Sequence, residues 1–141
     1  MTSLFGLFYH FLRYNKLMAK EFFTITETSK MLQTTTGKVR YLINRGLIPH
    51  VRINHQKHRV LERWQVDLIE ILLGMKLAGF KARDLKRYSD LVREGRHTEP
   101  ERLAMLITKK RQLRQEIIRC QQAIDFIERQ EDLLRQRLSK R

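Results

Sequence analysis

Between His50 and Arg59 the chain gathers His50, Arg52, His55, Lys57, His58 and Arg59, side chains that can ligate a metal or hold an anion. The metal reading is poor. With His97 these histidines follow no compact ligand spacing, and Cys120, the single cysteine, is far away in sequence. The anion reading agrees with the whole chain, where 29 Lys and Arg stand against 15 Asp and Glu, a net charge of +14 and a pI near 10.5. Residues 1–100 hold eighteen basic and nine acidic side chains, and residues 101–141 hold eleven and six, so the excess runs the full length. A polyanion is the expected partner. No nucleophile-and-base pair or metal constellation marks an active site, so neither an enzyme nor a cofactor is expected.

At 141 residues the chain is one domain of ordinary size, or a small domain carrying a long helix. An apolar fraction of 42% beside 31% charged leaves little core to spare, which favours an elongated or oligomeric form. One cysteine excludes an internal disulfide framework and suits a reducing cytoplasm. No apolar run approaches the roughly 20 residues of a membrane span. Residues 1–21 are apolar and aromatic but argue against a secretory signal. Arg13 and Lys16 follow the apolar stretch instead of preceding it, and no small-residue cleavage site comes after. They read as an N-terminal extension: either a short amphipathic helix packed on the body or on a partner subunit, or a start placed too far upstream of Met18.

These side chains need elements to position them. Ile25, Thr28, Met31 and Leu32 recur at helical spacing, with Thr26 as the capping hydroxyl, and predict a helix over about 26–32. Gln33 to Thr36 makes a tight connection. Val39, Leu42 and Ile43 form the stripe of a second helix ended by Gly46, giving helix, short turn, helix. Residues 50–61 alternate briefly and suit a two-stranded wing with a basic edge. Trp64, Leu68, Ile69, Ile71, Leu72, Met75 and Leu77 mark a helix over about 62–78, and another is expected at 82–93.

After a break from Gly95 to Pro100 nothing interrupts helix formation from Glu101 onward. Apolar residues fall at Leu103, Leu106, Leu113, Ile117, Cys120, Ile124, Ile127, Leu134 and Leu138, spaced by threes, fours and sevens, with Lys110 and Glu131 as polar breaks. That is a coiled-coil repeat. Such a helix cannot bury its stripe alone, so a symmetric homodimer is expected, with two basic units set to meet two half-sites of a duplex. The expected fold class is mainly helical. A winged helix-turn-helix spans 22–95, and a coiled-coil dimerisation helix spans 99–141.

The stretch from Phe23 to Leu85 resembles the mercury-resistance-regulator (MerR) family of bacterial transcription factors, in its small one-domain form. The resemblance rests on FTITETSKML, TTTGKVRYLINRGLIPHVR, HRVL and LAGFKARDLK, with Arg40-Tyr41 and Arg45-Gly46-Leu47-Ile48-Pro49 as its core. Three residues depart from the family pattern. Leu42 stands where a second Tyr is usual, at the apparent loss of a phosphate contact. Lys57-His58-Arg59 replaces Gly-Tyr-Arg, and Gly37 occupies a turn position where a longer side chain is common.

The resemblance implies that Thr35, Thr36 and Lys38 face the major groove, where Thr offers a hydroxyl and a methyl group to base edges. Arg40, one turn on from Thr36, suits guanine or phosphate, and Tyr41 suits a backbone phosphate. Arg52, Lys57, His58, Arg59, Lys81 and Arg83 extend the footprint. Double-stranded promoter DNA, a second copy and RNA polymerase are the implied partners, in a bacterial cytoplasm at the nucleoid, with a stress-response role. Family members distort an overlong promoter spacer, so deformation energy is the switch.

Larger relatives add a ligand-binding domain after the long helix, and metal sensors place two cysteines near its end; neither is present. The effector is therefore open. Cys120, on the seam with Leu113, Ile117 and Ile124, is either a small hydrophobe or a thiol whose modification shifts the two subunits. Aldehyde-responsive relatives carry a cysteine before Leu-Ala-Gly-Phe, whereas Ile71 to Lys76 has none. Two other readings stay open: an architectural or excisionase-like DNA-bending protein without effector, and a basic coiled-coil scaffold for RNA or protein.

Overall fold

The structure, a computed structural model, describes residues 20–141, so the reading of the N-terminal extension falls almost wholly outside the described residues. The chain divides into two compact units, one ending at Arg96 and one running from His97 to Arg141.

In the first unit the elements run β1 (Phe22–Thr24), α1 (Ile25–Met31), α2 (Thr36–Asn44), β2 (Arg52–Ile53), β3 (Arg59–Glu62), α3 (Arg63–Leu77) and α4 (Ala82–Glu94). The mainly helical winged helix-turn-helix expected from the sequence is present, with helix bounds shifted by one residue or so. The wing differs, because its sheet has three antiparallel strands in the order β1-β3-β2, with Phe23 opposite Leu61 and Ile53 opposite Arg59. Three residues are too few for a period-2 signal to stand out. Long-range pairing makes β1 a strand. Phe23 and Leu61 are 1% and 0% exposed and stack the sheet on the helical core of Val39, Leu42, Leu47, Ile48, Val66, Ile69, Leu72, Leu85 and Leu91.

The helix starts obey capping chemistry. Thr24, not Thr26, caps α1: its hydroxyl accepts from the Glu27 N–H at 3.1 Å, while Thr26 lies inside the helix. Thr35 caps α2, accepting from the Lys38 N–H at 3.2 Å. Gly46 ends α2 at φ +71°, a left-handed conformation natural to glycine, and directs the chain into the Leu47-Ile48-Pro49 segment. Two buried polar side chains hold that segment. Gln65 of α3 donates to the Pro49 carbonyl at 2.6 Å and accepts from the Glu62 N–H at 2.7 Å, and the Ser89 hydroxyl of α4 donates to the Leu47 carbonyl.

The stripe assigned to α3 is only partly a core stripe. Trp64, Ile71 and Leu77 are exposed, Leu77 at 91%, because they lie off the buried face of Val66, Leu68, Ile69, Leu72 and Met75.

In the second unit a 3-10 turn (Arg96–Thr98) leads into α5 (Glu99–Ser139), a single helix of 41 residues that begins two residues before Glu101, with Pro100 in its first turn. Proline is tolerated there because the first-turn amides have no partner inside the helix. Among its apolar residues, Leu103, Leu106, Ile117, Ile124, Ile127, Leu134 and Leu138 are exposed, as is Cys120.

Candidate nucleic-acid interface

Helix α2 has two faces of different character. Val39 and Leu42 are both 0% exposed and anchor it to the core, while Gly37, Lys38, Arg40 and Tyr41 lie on its exposed side. Leu42 fills the core, so at this position the chain presents no group to a backbone phosphate.

The hydroxyl of Thr35 is engaged as the helix cap, which leaves its methyl group as the freer part for a base edge. Thr36 and Arg40 share a face as expected, the guanidinium donating to the Thr36 hydroxyl at 3.4 Å. Tyr41 is 38% exposed and has two cations close to its ring, with the Arg45 guanidinium carbon 5.4 Å and the Lys76 ammonium 4.4 Å from the ring centroid. The hydrogen bond from Arg45, then its charge and that of Lys76, hold the phenol below the usual tyrosine range. Neither Arg45 nor Lys76 stood out in the sequence as a site residue. Lys76 is separated from Tyr41 by 35 positions, and only the packing of α3 on α2 brings them together.

The tip of the wing is built around Asn54, whose side-chain carbonyl accepts from the Gln56 and His58 N–H groups at 3.0 and 2.9 Å. Lys57 adopts φ +61° in this turn, a conformation that explains why glycine suits the position in the family pattern. His58 and Lys57 are exposed at the tip. Arg59 is drawn toward the recognition helix by a 2.6 Å hydrogen bond to the side-chain oxygen of Asn44, a partner the sequence did not single out.

Arg52 lies elsewhere. Its register puts it on the sheet face of Val60, Phe22 and Glu62, opposite the face of Arg59, and there it pairs with Glu62 at 3.5 Å and covers the Phe22 ring at 5.9 Å. Arg52 and Arg59 of the wing therefore take opposite faces of the sheet. Lys81 and Arg83 are exposed at the start of α4, where the Lys81 N–H donates to Asp84 at 3.2 Å. No cluster of His, Cys, Asp and Glu able to hold a metal occurs among the described residues. No described helix is long and apolar enough to cross a membrane.

Known proteins of similar build carry the same architecture. A MerR-family regulator from Listeria monocytogenes is 28% identical, with a TM-score of 0.63 over 78% of this chain and 83% of that one. A MerR-family regulator from Bacillus thuringiensis shares 24% identity at the same TM-score, covering 77% and 96%. HiNmlR, a MerR-family regulator lacking the sensor domain and solved bound to promoter DNA, shares the fold at 19% identity and a TM-score of 0.63, covering 74% and 79%. No match was found among curated proteins. Residues 23–91 match the family model of the MerR HTH regulatory proteins. With the helix-turn-helix geometry and the run from Arg40-Tyr41 to Pro49, this match identifies residues 23–91 as a helix-turn-helix domain of the MerR regulatory family.

Proposed function

We propose that this protein binds promoter DNA as a homodimer and regulates transcription by distorting the DNA between promoter elements, at promoters that RNA polymerase also occupies. The observation that carries this reading is the two-faced α2: a helix anchored by Val39 and Leu42 presents Lys38, Arg40 and Tyr41 outward on a chain of net charge +14. Thr35, Thr36, Lys38 and Arg40 enter the major groove. Tyr41, Lys57, His58 and Arg59 hold the backbone, with Arg52, Lys81 and Arg83 further out.

The dimer forms through α5. Leu106, Leu113, Ile117, Cys120, Ile124, Ile127 and Leu134 lie on one heptad stripe, and pairing two such stripes removes from water the apolar surface that a single chain leaves exposed. The protein acts in the cytoplasm at the nucleoid, without catalysis or cofactor. Cys120 is the sensing thiol of this proposal, since a modified sulfur on the seam would shift one subunit against the other. Unchanged promoter induction by electrophiles in Cys120→Ser would remove that role.

The test is selection of genomic fragments by purified protein, at physiological salt with competitor DNA. An inverted repeat inside a promoter with an overlong spacer is the expected result. Recovery of unrelated, merely bendable fragments would overturn it in favour of an architectural DNA-bending protein.

A further inference from the structure

Tyr41 holds two like charges close together. Arg45, the residue that caps the end of α2, and Lys76, in the last turn of α3, reach the same aromatic ring, and neither has a carboxylate partner among the described residues. Two cations gathered in this way repel each other. The ring's electron-rich face offsets part of that repulsion, and an anion bound beside both cations would offset the rest.

The surroundings specify the form of the anion. Tyr41 and Lys76 lie on the walls of an open groove of about 670 Å³ between α2 and α3, with Lys38 on the α2 wall and Leu73 and Leu77 on the α3 wall. Glu70 is the one acid on its lining. A groove lined by Lys38 and Lys76, with Leu77 exposed beside them and Arg45 against the Tyr41 ring at its edge, suits a phosphodiester chain: phosphate oxygens meet the cations and a sugar covers Leu77.

We propose that Arg45 and Lys76, both held against the Tyr41 ring, form a DNA-phosphate seat at the junction of α2 and α3, a backbone contact made by α3 in addition to those of α2 and the wing. The Tyr41 hydroxyl donates its proton to the same phosphate. Arg45 and Lys76 are positioning contacts and read no base, so their loss weakens all sequences alike. The seat rests on the promoter-binding reading above.

The experiment measures binding of the full chain to a selected promoter fragment and to unrelated duplex DNA over a series of salt concentrations. Lys76→Gln is expected to lower affinity for both DNAs by a similar factor, about tenfold, and to flatten the plot of log affinity against log salt by about 0.9, one phosphate's worth. Arg45→Gln is expected to act in the same way, and Lys76→Arg to retain the wild-type slope. Lys86→Gln removes the same charge from a lysine already paired with Asp90 at 2.9 Å and is expected to leave the slope unchanged. Wild-type slopes in both Lys76→Gln and Arg45→Gln would overturn the seat while leaving the regulator reading intact, and so would a change in melting temperature alone. If the wild-type protein shows no salt-dependent affinity for duplex DNA, the regulator reading and the seat fall together.

Discussion

The two units of this protein satisfy their apolar residues in opposite ways. Up to Arg96 the described chain closes a core of its own: Phe23, Val39, Leu42, Leu61, Val66, Ile69, Leu72 and Leu91 are all at 1% exposure or less. From Glu99 to Ser139 one helix buries none of its side chains, although isoleucines and leucines recur along it. The first pattern is that of a unit whose sequence separations are folded back on themselves. The second leaves an apolar stripe in water, because a single helix of 41 residues cannot bury its own side chains. Phe126 and Leu133, both exposed, lie off the heptad stripe, so the seam does not account for every apolar residue on α5.

The largest expected effect breaks the second unit alone. Ile117→Asp with Ile124→Asp places two carboxylates at the centre of the proposed seam, and the association constant should fall by at least about a hundredfold. Sedimentation should then report monomers that bind DNA weakly, while the melting of the first unit stays near wild type. Loss of that unit's fold would mean that the two regions are not separate in stability.

Next in size is Gln65→Ala in the first unit. It leaves the buried Pro49 carbonyl and the half-buried Glu62 N–H without the side chain that pairs them, at a cost of about 2–4 kcal/mol by denaturant unfolding. A smaller change of opposite sign is expected at Thr28, which is 0% exposed with a hydroxyl that finds no hydrogen-bond partner. Thr28→Val keeps the shape and removes the stranded polar atom, so stability should rise by about 1 kcal/mol. A loss instead would mean that the hydroxyl is satisfied in solution.

The smallest effect concerns pH. The hydrogen bond and charge of Lys20, with help from Thr24, hold the Glu27 carboxyl below its ordinary range, and Lys86, with Arg93 and Arg87, does the same for Asp90. A carboxyl whose folded pKa is depressed contributes stability that is complete above its unfolded value and is lost as pH falls through the folded one. The first unit should therefore weaken modestly once pH drops below about 4.5. Glu27→Gln with Asp90→Asn should lose less on going from pH 7 to pH 3, as read by melting temperature.

Much of the fold was legible because its signals are local. Helical spacing located α1 to α4, and the glycine after Asn44-Arg45 marked the end of α2 through its left-handed backbone. The heptad spacing of α5 needed no neighbour to be read. The candidate interface was legible only in part. Lys38 and Arg40 could be placed on the outer face of α2 from their spacing, whereas the full burial of Leu42 depends on what α2 packs against. Thr26 was taken for the cap that Thr24 provides, since either hydroxyl lies within a residue or two of the helix start.

The sequence by itself determined the charge, the helical periods and the motif residues, since each is a property of composition or of neighbours within a turn or two along the chain. Only the tertiary structure decided that Phe22–Thr24 is a strand, that Arg52 and Arg59 take opposite faces of the sheet, that Asn44 holds Arg59, and that Lys76 meets Tyr41. Each of these joins residues far apart in the chain. Such pairings arise when the chain buries its apolar surface, and no local preference of the residues involved encodes them.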